Sequence, residues 1–285
     1  MNNVVCLPKE NRHSLTKGDQ KMSFSVGADI ELFAQDQTGK HISLCGKIGG
    51  TKEKPLPIST DKSFKGFALQ EDNVALEFNI PPALYKEDFL AYIKYMRDTQ
   101  IPKTLKQLSL VMSKEASVSF DTTELTHPNA LIFGCEPDYN AWSKTENKKP
   151  TCPNINLRTA GGHVHVGCDK DMLQGIKSMD LFLGVPSIFL DDTPASIERR
   201  NLYGKAGAMR PKPYGFEYRV LSNFWMFTDN LINWVYDQTK FAVSFKHKFT
   251  KKEEKLIQDC INTGDKKIGE TIINTYGITL PLAGI

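Results

Sequence analysis

The chain has 285 residues, 40% of them apolar and 24% charged, and 36 Lys and Arg against 33 Asp and Glu leave a net charge of only +3. With 16 Phe, 9 Tyr and 3 Trp it is too aromatic for a disordered chain, and it lacks the basic excess of a nucleic-acid binder. No run reaches the roughly 18 apolar residues of a membrane helix, since the best, Met179–Leu190, is broken by Asp180 and Pro186. Neither nucleic acid nor membrane is therefore an expected partner.

Residues 1–22 are polar and aperiodic and read as an N-terminal arm, with 23–285 expected to form a single domain. That arm has no apolar stretch of signal-peptide length, so the expected location is cytoplasmic. The six cysteines (Cys6, Cys45, Cys135, Cys152, Cys168, Cys260) form no CxxC pair. This argues against a structural zinc site and a disulfide framework.

The first strand signal is Phe24–Phe33, FSVGADIELF. Side chains alternate between faces along a strand, so Val26, Ala28, Ile30 and Leu32 share one face and Asp29 and Glu31 the other. Two loop-like stretches, Gly46–Lys65 and Trp142–Asn154, are rich in Lys, Pro and Gly, and the first is the expected lid. Asn73–Ile80 repeats the strand pattern, with Val74, Leu76 and Phe78 opposite Glu77 and Asn79. A helix is expected over Lys86–Asp98. Gly161–Gly167 sets His163 and His165 against Val164 and Val166. Asp171 caps an expected helix running to Met179.

Next comes a basic segment, ERRNLYGKAGAMRPKPYGFEYR, with Arg199, Arg200, Lys205, Arg210, Lys212 and Arg219. Gly204 and Gly207 within it offer the freedom to bend the backbone close to a ligand. It ends in a fourth strand, Tyr214–Leu221, where Phe216, Tyr218 and Val220 oppose Glu217 and Arg219. Helices are then expected over Asp229–Phe245, after a Thr250/Glu253 capping box, and over Asp265–Tyr276 with Gly277 as the C-terminal cap. The aromatic run Phe224, Trp225, Phe227 and Trp234 reads as core. Strands and helices are mixed without regular alternation, which favours an α+β fold built on an antiparallel sheet.

Any one of these strands could be half-solvated. Together they place Asp29, Glu31, Glu77 and Glu217 on one sheet face, where like charges raise one another's pKa unless a cation intervenes. A carboxylate-dominated set suits Mg²⁺, and the added imidazole makes Mn²⁺ possible. Arginine forks match phosphate or carboxylate oxygens, so acids beside the basic segment describe a site for metal-bound polyphosphate. A Walker A loop, a Rossmann GxGxxG, a GxSxG elbow and an HExxH are all missing.

The ordered motifs GADIELF (27–33), GGTKEKP (49–55), EDNVALEFN (71–79), AGGHVHVG (160–167) and the basic segment to Arg219 resemble the glutamine synthetase/glutamate–cysteine ligase superfamily. The likeness is greatest to the phage-encoded carboxylate–amine ligases, type 2. The resemblance implies a curved antiparallel sheet of glutamine synthetase catalytic-domain type with helices on its outer face. It also implies ATP and Mg²⁺ as cofactors, and an acyl phosphate through which a small-molecule or peptide carboxylate is joined to an amine.

By motif, Glu31, Glu77, His163 and Glu217 match metal ligands, with Asp29 and Asp72 as companions. Arg219 matches the arginine that neutralises the transferring phosphate and, with Arg210 and Glu217, forms the implied catalytic set. Arg200, Arg210, Lys205, His165 and Arg219 are the implied nucleotide contacts, with Arg199 an alternative to Arg200. A phage origin would place the protein in the host cytoplasm. Two other readings of the same acids are a metal-dependent nucleotide phosphohydrolase and a non-catalytic nucleotide-binding protein.

Overall fold

A computed structural model describes residues 24–131, 138–169 and 171–282; the expected arm at 1–22, Cys6 and Cys135 lie outside the described residues. The strands are β1 (Ser25–Leu32), β2 (Ala34–Gln35), β3 (His41–Ile42), β4 (Leu56–Pro57), β5 (Ala68–Asp72), β6 (Ala75–Asn79) and β7 (Val111–Met112), followed by β8 (Ser117–Ser119), β9 (Tyr139–Asn140), β10 (Thr145–Glu146), β11 (Leu157–Thr159), β12 (Gly162–Gly167), β13 (Ala208–Lys212) and β14 (Gly215–Tyr218). The α-helices are α1 (Lys86–Tyr95), α2 (Ile101–Lys106), α3 (Met172–Met179), α4 (Val185–Leu190), α5 (Pro194–Leu202), α6 (Asp229–Ser244), α7 (Lys251–Thr263) and α8 (Lys266–Tyr276).

Nine strands make one antiparallel sheet in the order β10-β9-β13-β14-β12-β1-β6-β5-β4. The α+β class and its large antiparallel sheet are thus as expected. Central β1 lies between β12 and β6. Its apolar face, with that of β12 and β14, packs with Phe89, Ile93, Trp225, Ile232 and Val235 into one buried cluster. Trp225 is fully buried and stacks on Phe89, with ring centroids 5.9 Å apart. Burial of apolar surface on this face leaves the other face to the polar side chains.

The helix expected over Lys86–Asp98 runs further. A π turn at Met96–Gln100 joins α1 to α2, and a second at Asp180–Gly184 joins α3 to α4. Each comes directly before a segment with proline in its first turn, Pro102 and Pro186. Proline has no N–H to give to a carbonyl four residues back, and its ring clashes there. The wider i→i+5 closure, Ile101 N–H to Met96 O and Val185 N–H to Asp180 O, lets the chain continue instead of stopping. The α7 capping box and the left-handed Gly277 after α8 are as expected.

Asp180, fully buried, accepts hydrogen bonds from Trp142 Nε1 (2.6 Å), Tyr218 Oη (2.9 Å) and the Gly207 amide. It ties the α3–α4 junction to β13 and β14. Burial outweighs these three donors and pushes its pKa from 3.8 up to about 7. Between those values the folded state holds a proton that the unfolded chain has lost, so stability falls as pH rises across that window. Asp180→Asn is expected to flatten the fall by up to about 1.4 kcal/mol per pH unit, read by denaturant unfolding from pH 4 to 7; parallel wild-type and variant curves would contradict it.

Candidate active site

Strand register assembles the polar face. Asp29 lies opposite His163 on β12 and Asn79 on β6, and Glu31 lies opposite Glu77. His165 lies opposite Glu217, which in turn faces Arg210 on β13. Asp72 ends β5 and turns back through Asn73, which sits at φ 56°, into β6. This left-handed conformation suits Asn better than most side chains.

The six residues expected as metal ligands fall into two groups of three: Asp29, His163 and Glu217 in one, Glu31, Asp72 and Glu77 in the other. Within each group one ligand atom per residue lies within 4.8 Å of the others. The two groups differ in how their charge is balanced. Around the fully buried Glu217 stand Lys212 Nζ (2.8 Å), Arg210 (3.4 Å), Arg219, and His163 Nδ1 at 3.6 Å. Asp29 contacts His163 Nδ1 at 3.2 Å and His165 Nε2 at 3.1 Å. Burial and the Asp29 charge push Glu217 up, yet Arg219, His163 and Arg210 outweigh them and hold it at about 2. Burial also acts on Asp29, but the two histidines hold it well below its ordinary range.

In the second group Lys52 and Arg219 act on Asp72, and Arg199 on Glu31, through space. Burial and Glu31 push Asp72 up to about 7, with Lys52 and Arg219 opposing through space. Burial with Asp29, Glu31 and Asp72 pushes Glu77 well above the ordinary carboxylate range, against a hydrogen bond from Gln70. A group of carboxylates in which burial and mutual charge raise Asp72 and Glu77 is a donor set a hard divalent cation takes. On that physical ground the residues present fit Mg²⁺ or Mn²⁺.

A cleft beside this group is lined by Glu31, Asp72, His163, Arg199, Arg219 and Asp138, with Arg158 and Tyr203 at its margin. A second cavity of about 270 Å³ lies beyond Asp29, lined by His165, Tyr214, Asn79, Pro82 and Ile80. Tyr214 is hydrogen-bonded to His165 Nδ1 and lies nearly parallel to its ring.

The basic segment separates where the sequence gathers it. Arg199 and Arg200 lie on α5, where neighbouring residues point about 100° apart. Arg199 donates to the Val220 and Leu221 carbonyls and lines the acid cleft. Arg200 turns to the Ser187 and Asp191 carbonyls and the Asp191 carboxylate at 3.4 Å, so the structure leaves it outside the cluster. Lys205 reaches the Asn262 carbonyl at the end of α7 and lies apart as well.

Gly204 and Gly207 have positive φ, but the space at their α-carbons is taken by protein. A Cβ at Gly204 would lie 2.5 Å from Val220 O and 2.6 Å from an Arg199 nitrogen, and one at Gly207 2.6 Å from Trp142. The close approach expected for a ligand is made by the chain itself.

The segment expected as a lid is anchored at its start. The Glu71 carboxylate accepts the amides of Gly46, Ile48 and Gly49 at 2.6–2.7 Å, and Leu56–Pro57 forms the edge strand against Ala68–Leu69. Sequence pattern did not single out Asp138, Arg158, Tyr203 or Tyr214 for the site. Asp138 precedes a two-residue strand and Tyr214 sits in a hairpin turn. Asp138 has no alternating run to place its face, and Tyr214, expected to open the fourth strand, lies just before β14, which starts at Gly215.

Residues 154–271 match the family model described as phage phiEco32-like COOH.NH2 ligase-type 2. Among solved structures, the chain is similar to one titled a bifunctional glutathione synthetase from Pasteurella multocida, with TM-score 0.48 and 9% identity over 90% of this chain and 46% of that one. It is also similar to a structure titled "Apo GmaS without ligand", with TM-score 0.37 and 11% identity over 91% of this chain and 70% of that one. The chain thus spans about half the length of the glutathione synthetase. No curated protein matches it. The matched residues include His163, His165 and the whole basic segment to Arg219, and over this stretch the chain is similar to the phage-type COOH.NH2 ligases, type 2, the family its motifs resemble.

Proposed function

We propose that the protein is an ATP- and Mg²⁺-dependent carboxylate–amine ligase working through an acyl phosphate. One observation carries this reading: two adjacent acid groups share a sheet face, one ringed by Arg210, Lys212, Arg219 and two histidines, the other crowded enough that burial and mutual charge raise Asp72 and Glu77. The crowded group suits a bare cation. Where fixed cations already neutralise the acids, a further metal ion is favourable only if it arrives with anionic charge, as a polyphosphate does.

In this reading Glu31, Asp72 and Glu77 would hold one Mg²⁺, and Asp29, His163 and Glu217 a second. Bound there, the ions would screen the repulsion between an attacking carboxylate and the γ-phosphate. Arg210 and Arg219 face the phosphate, and Glu217 holds both guanidinium groups in place. The cavity at His165 and Tyr214 takes the nucleoside. Arg199, in place of Arg200, faces the acid substrate from the opposite cleft. Phosphorylation turns an unreactive carboxylate oxygen into a leaving group, and the cleft walls keep water from the acyl phosphate.

The reading predicts ADP and phosphate release from Mg·ATP only when both an acid and an amine are added. Glu217→Gln is expected to lower that release by about 100-fold or more. Release indifferent to amine would identify a phosphohydrolase instead. Metal binding gives a second prediction. Asp72 and Glu77 are raised in the metal-free fold, so protons compete with a cation for them and its affinity rises with pH. Saturating Mn²⁺ without nucleotide is expected to raise the melting temperature more at pH 8 than at pH 5.5. Glu77→Gln is expected to melt higher than wild type without metal, because it removes repulsion, and to gain little from Mn²⁺. A variant that melts lower without metal and gains as much would refute the assignment.

A further inference from the structure

Residues 220–223, directly after β14, form a short buried strap that is fastened from α5 twice. Arg199 donates to the Val220 and Leu221 carbonyls at 3.1 and 3.0 Å. Ser222 Oγ donates to Asp191 Oδ2 at 2.8 Å. Asp191 is itself 5% exposed and held in place: Ser196 Oγ donates to Oδ1, and Arg200 donates to the Asp191 carbonyl and stands 3.4 Å from Oδ2. The other side of the strap holds Glu31. Ser222 bridges to Gly161, and the Gly162 amide donates to the Leu221 carbonyl at 3.1 Å. The Gly161 carbonyl accepts the Glu31 amide at 2.9 Å, and the Gly161 amide donates to Glu31 Oε2 at 2.6 Å. Asn223 Nδ2 donates to the Glu31 carbonyl at 3.0 Å. Glu31 is thus fixed at its amide, its carbonyl and one carboxylate oxygen, which leaves the second oxygen for a cation.

We infer that Asp191 and Ser222 are positioning residues for Glu31, and that Arg200, outside the cleft, sets the place of that carboxylate through them and Gly161. This rests on the metal reading of the Glu31, Asp72 and Glu77 group. A ligating carboxylate depends on the partners behind it for its orientation, and removing such a partner typically weakens a metal by 10–100-fold. The other acid group is oriented differently, by the imidazoles, Lys212, Arg210 and Arg219. The relay therefore serves the first group alone, and the buried charge of Arg200 is spent on geometry instead of on a ligand.

The test reads Mn²⁺ binding at pH 8 without nucleotide, from the paramagnetic resonance signal of the free ion. Ser222→Ala and Asp191→Asn both lose the bond between these side chains. Ser222 Oγ also accepts the Phe224 amide at 3.3 Å, which Asp191→Asn leaves intact, so an effect common to both variants belongs to the bond they share. Each is expected to raise the Mn²⁺ dissociation constant about 10-fold or more, and Ser222→Thr, which keeps the hydroxyl, is expected to restore most of the affinity. Glu77→Gln, run in parallel, marks loss of the site itself. Melting temperatures without metal identify the folded variants. If either variant fails to fold, Arg200→Lys, which keeps a charge beside Asp191 but not the fork, is expected to give a smaller rise. An unchanged dissociation constant in folded variants, with only a lower melting temperature, would overturn the inference and leave the metal reading intact. Wild-type protein that binds no Mn²⁺ would remove the metal reading, and this inference with it.

Discussion

Glu31 and Glu77 stand directly opposite each other on adjacent antiparallel strands, with Asp72 closing the group. Like charges so placed repel, and burial removes the water that would screen them, which raises Glu77 and Asp72. The rest of the site is arranged around that constraint. On one side Asp29 and Glu217 are answered by imidazole, guanidinium and ammonium groups from β12, β13 and β14. On the other side Lys52, Arg199 and Arg219 act through space, and burial and mutual charge still raise Asp72 and Glu77. The sheet thus carries a gradient from over-compensated to under-compensated acid, and a metal–polyphosphate complex is a ligand whose own charge distribution runs the opposite way.

The apolar face makes this tolerable. Val26, Ile30, Val164, Phe216 and Tyr218 are buried against the helices, and the alternation of a strand makes each of them the neighbour of a site residue. Packing fixes register, because a slip by one residue would turn apolar side chains outward and acids into the core. The hydrophobic core therefore does more than stabilise. It holds mutually repelling groups at separations they would not adopt unaided.

Much of this was legible in the sequence because strand alternation is rigid. Asp29, Glu31, Glu77, His163 and Glu217 could be put on one face from their spacing alone, and the structure places them there. The basic segment was less legible, since residues adjacent in sequence diverge on a helix. The α5 helix sends Arg199 to the cleft and Arg200 to Asp191, and no spacing rule chose between them. Gly204 and Gly207 misled for a related reason: a left-handed glycine signals close approach but not by what. Asp138 was illegible because its position depends on Asn147 and Arg219, contacts made between distant short elements. The π turns before Pro102 and Pro186 likewise hid the true lengths of two helices behind residues that usually end one.

Glu71 and Asp72 divide the labour at one peptide bond. The first gathers the amides of Gly46, Ile48 and Gly49, and the second faces Glu31 and Glu77. An insertion or deletion of one residue within β5 would exchange their directions, pulling the anchor into the acid group and Asp72 out to the loop. Length variation among related chains should accordingly collect between Thr51 and Gly66, on the far side of the anchored glycines. The tight turn from Asp72 to Ala75 should keep its length even where its residues change.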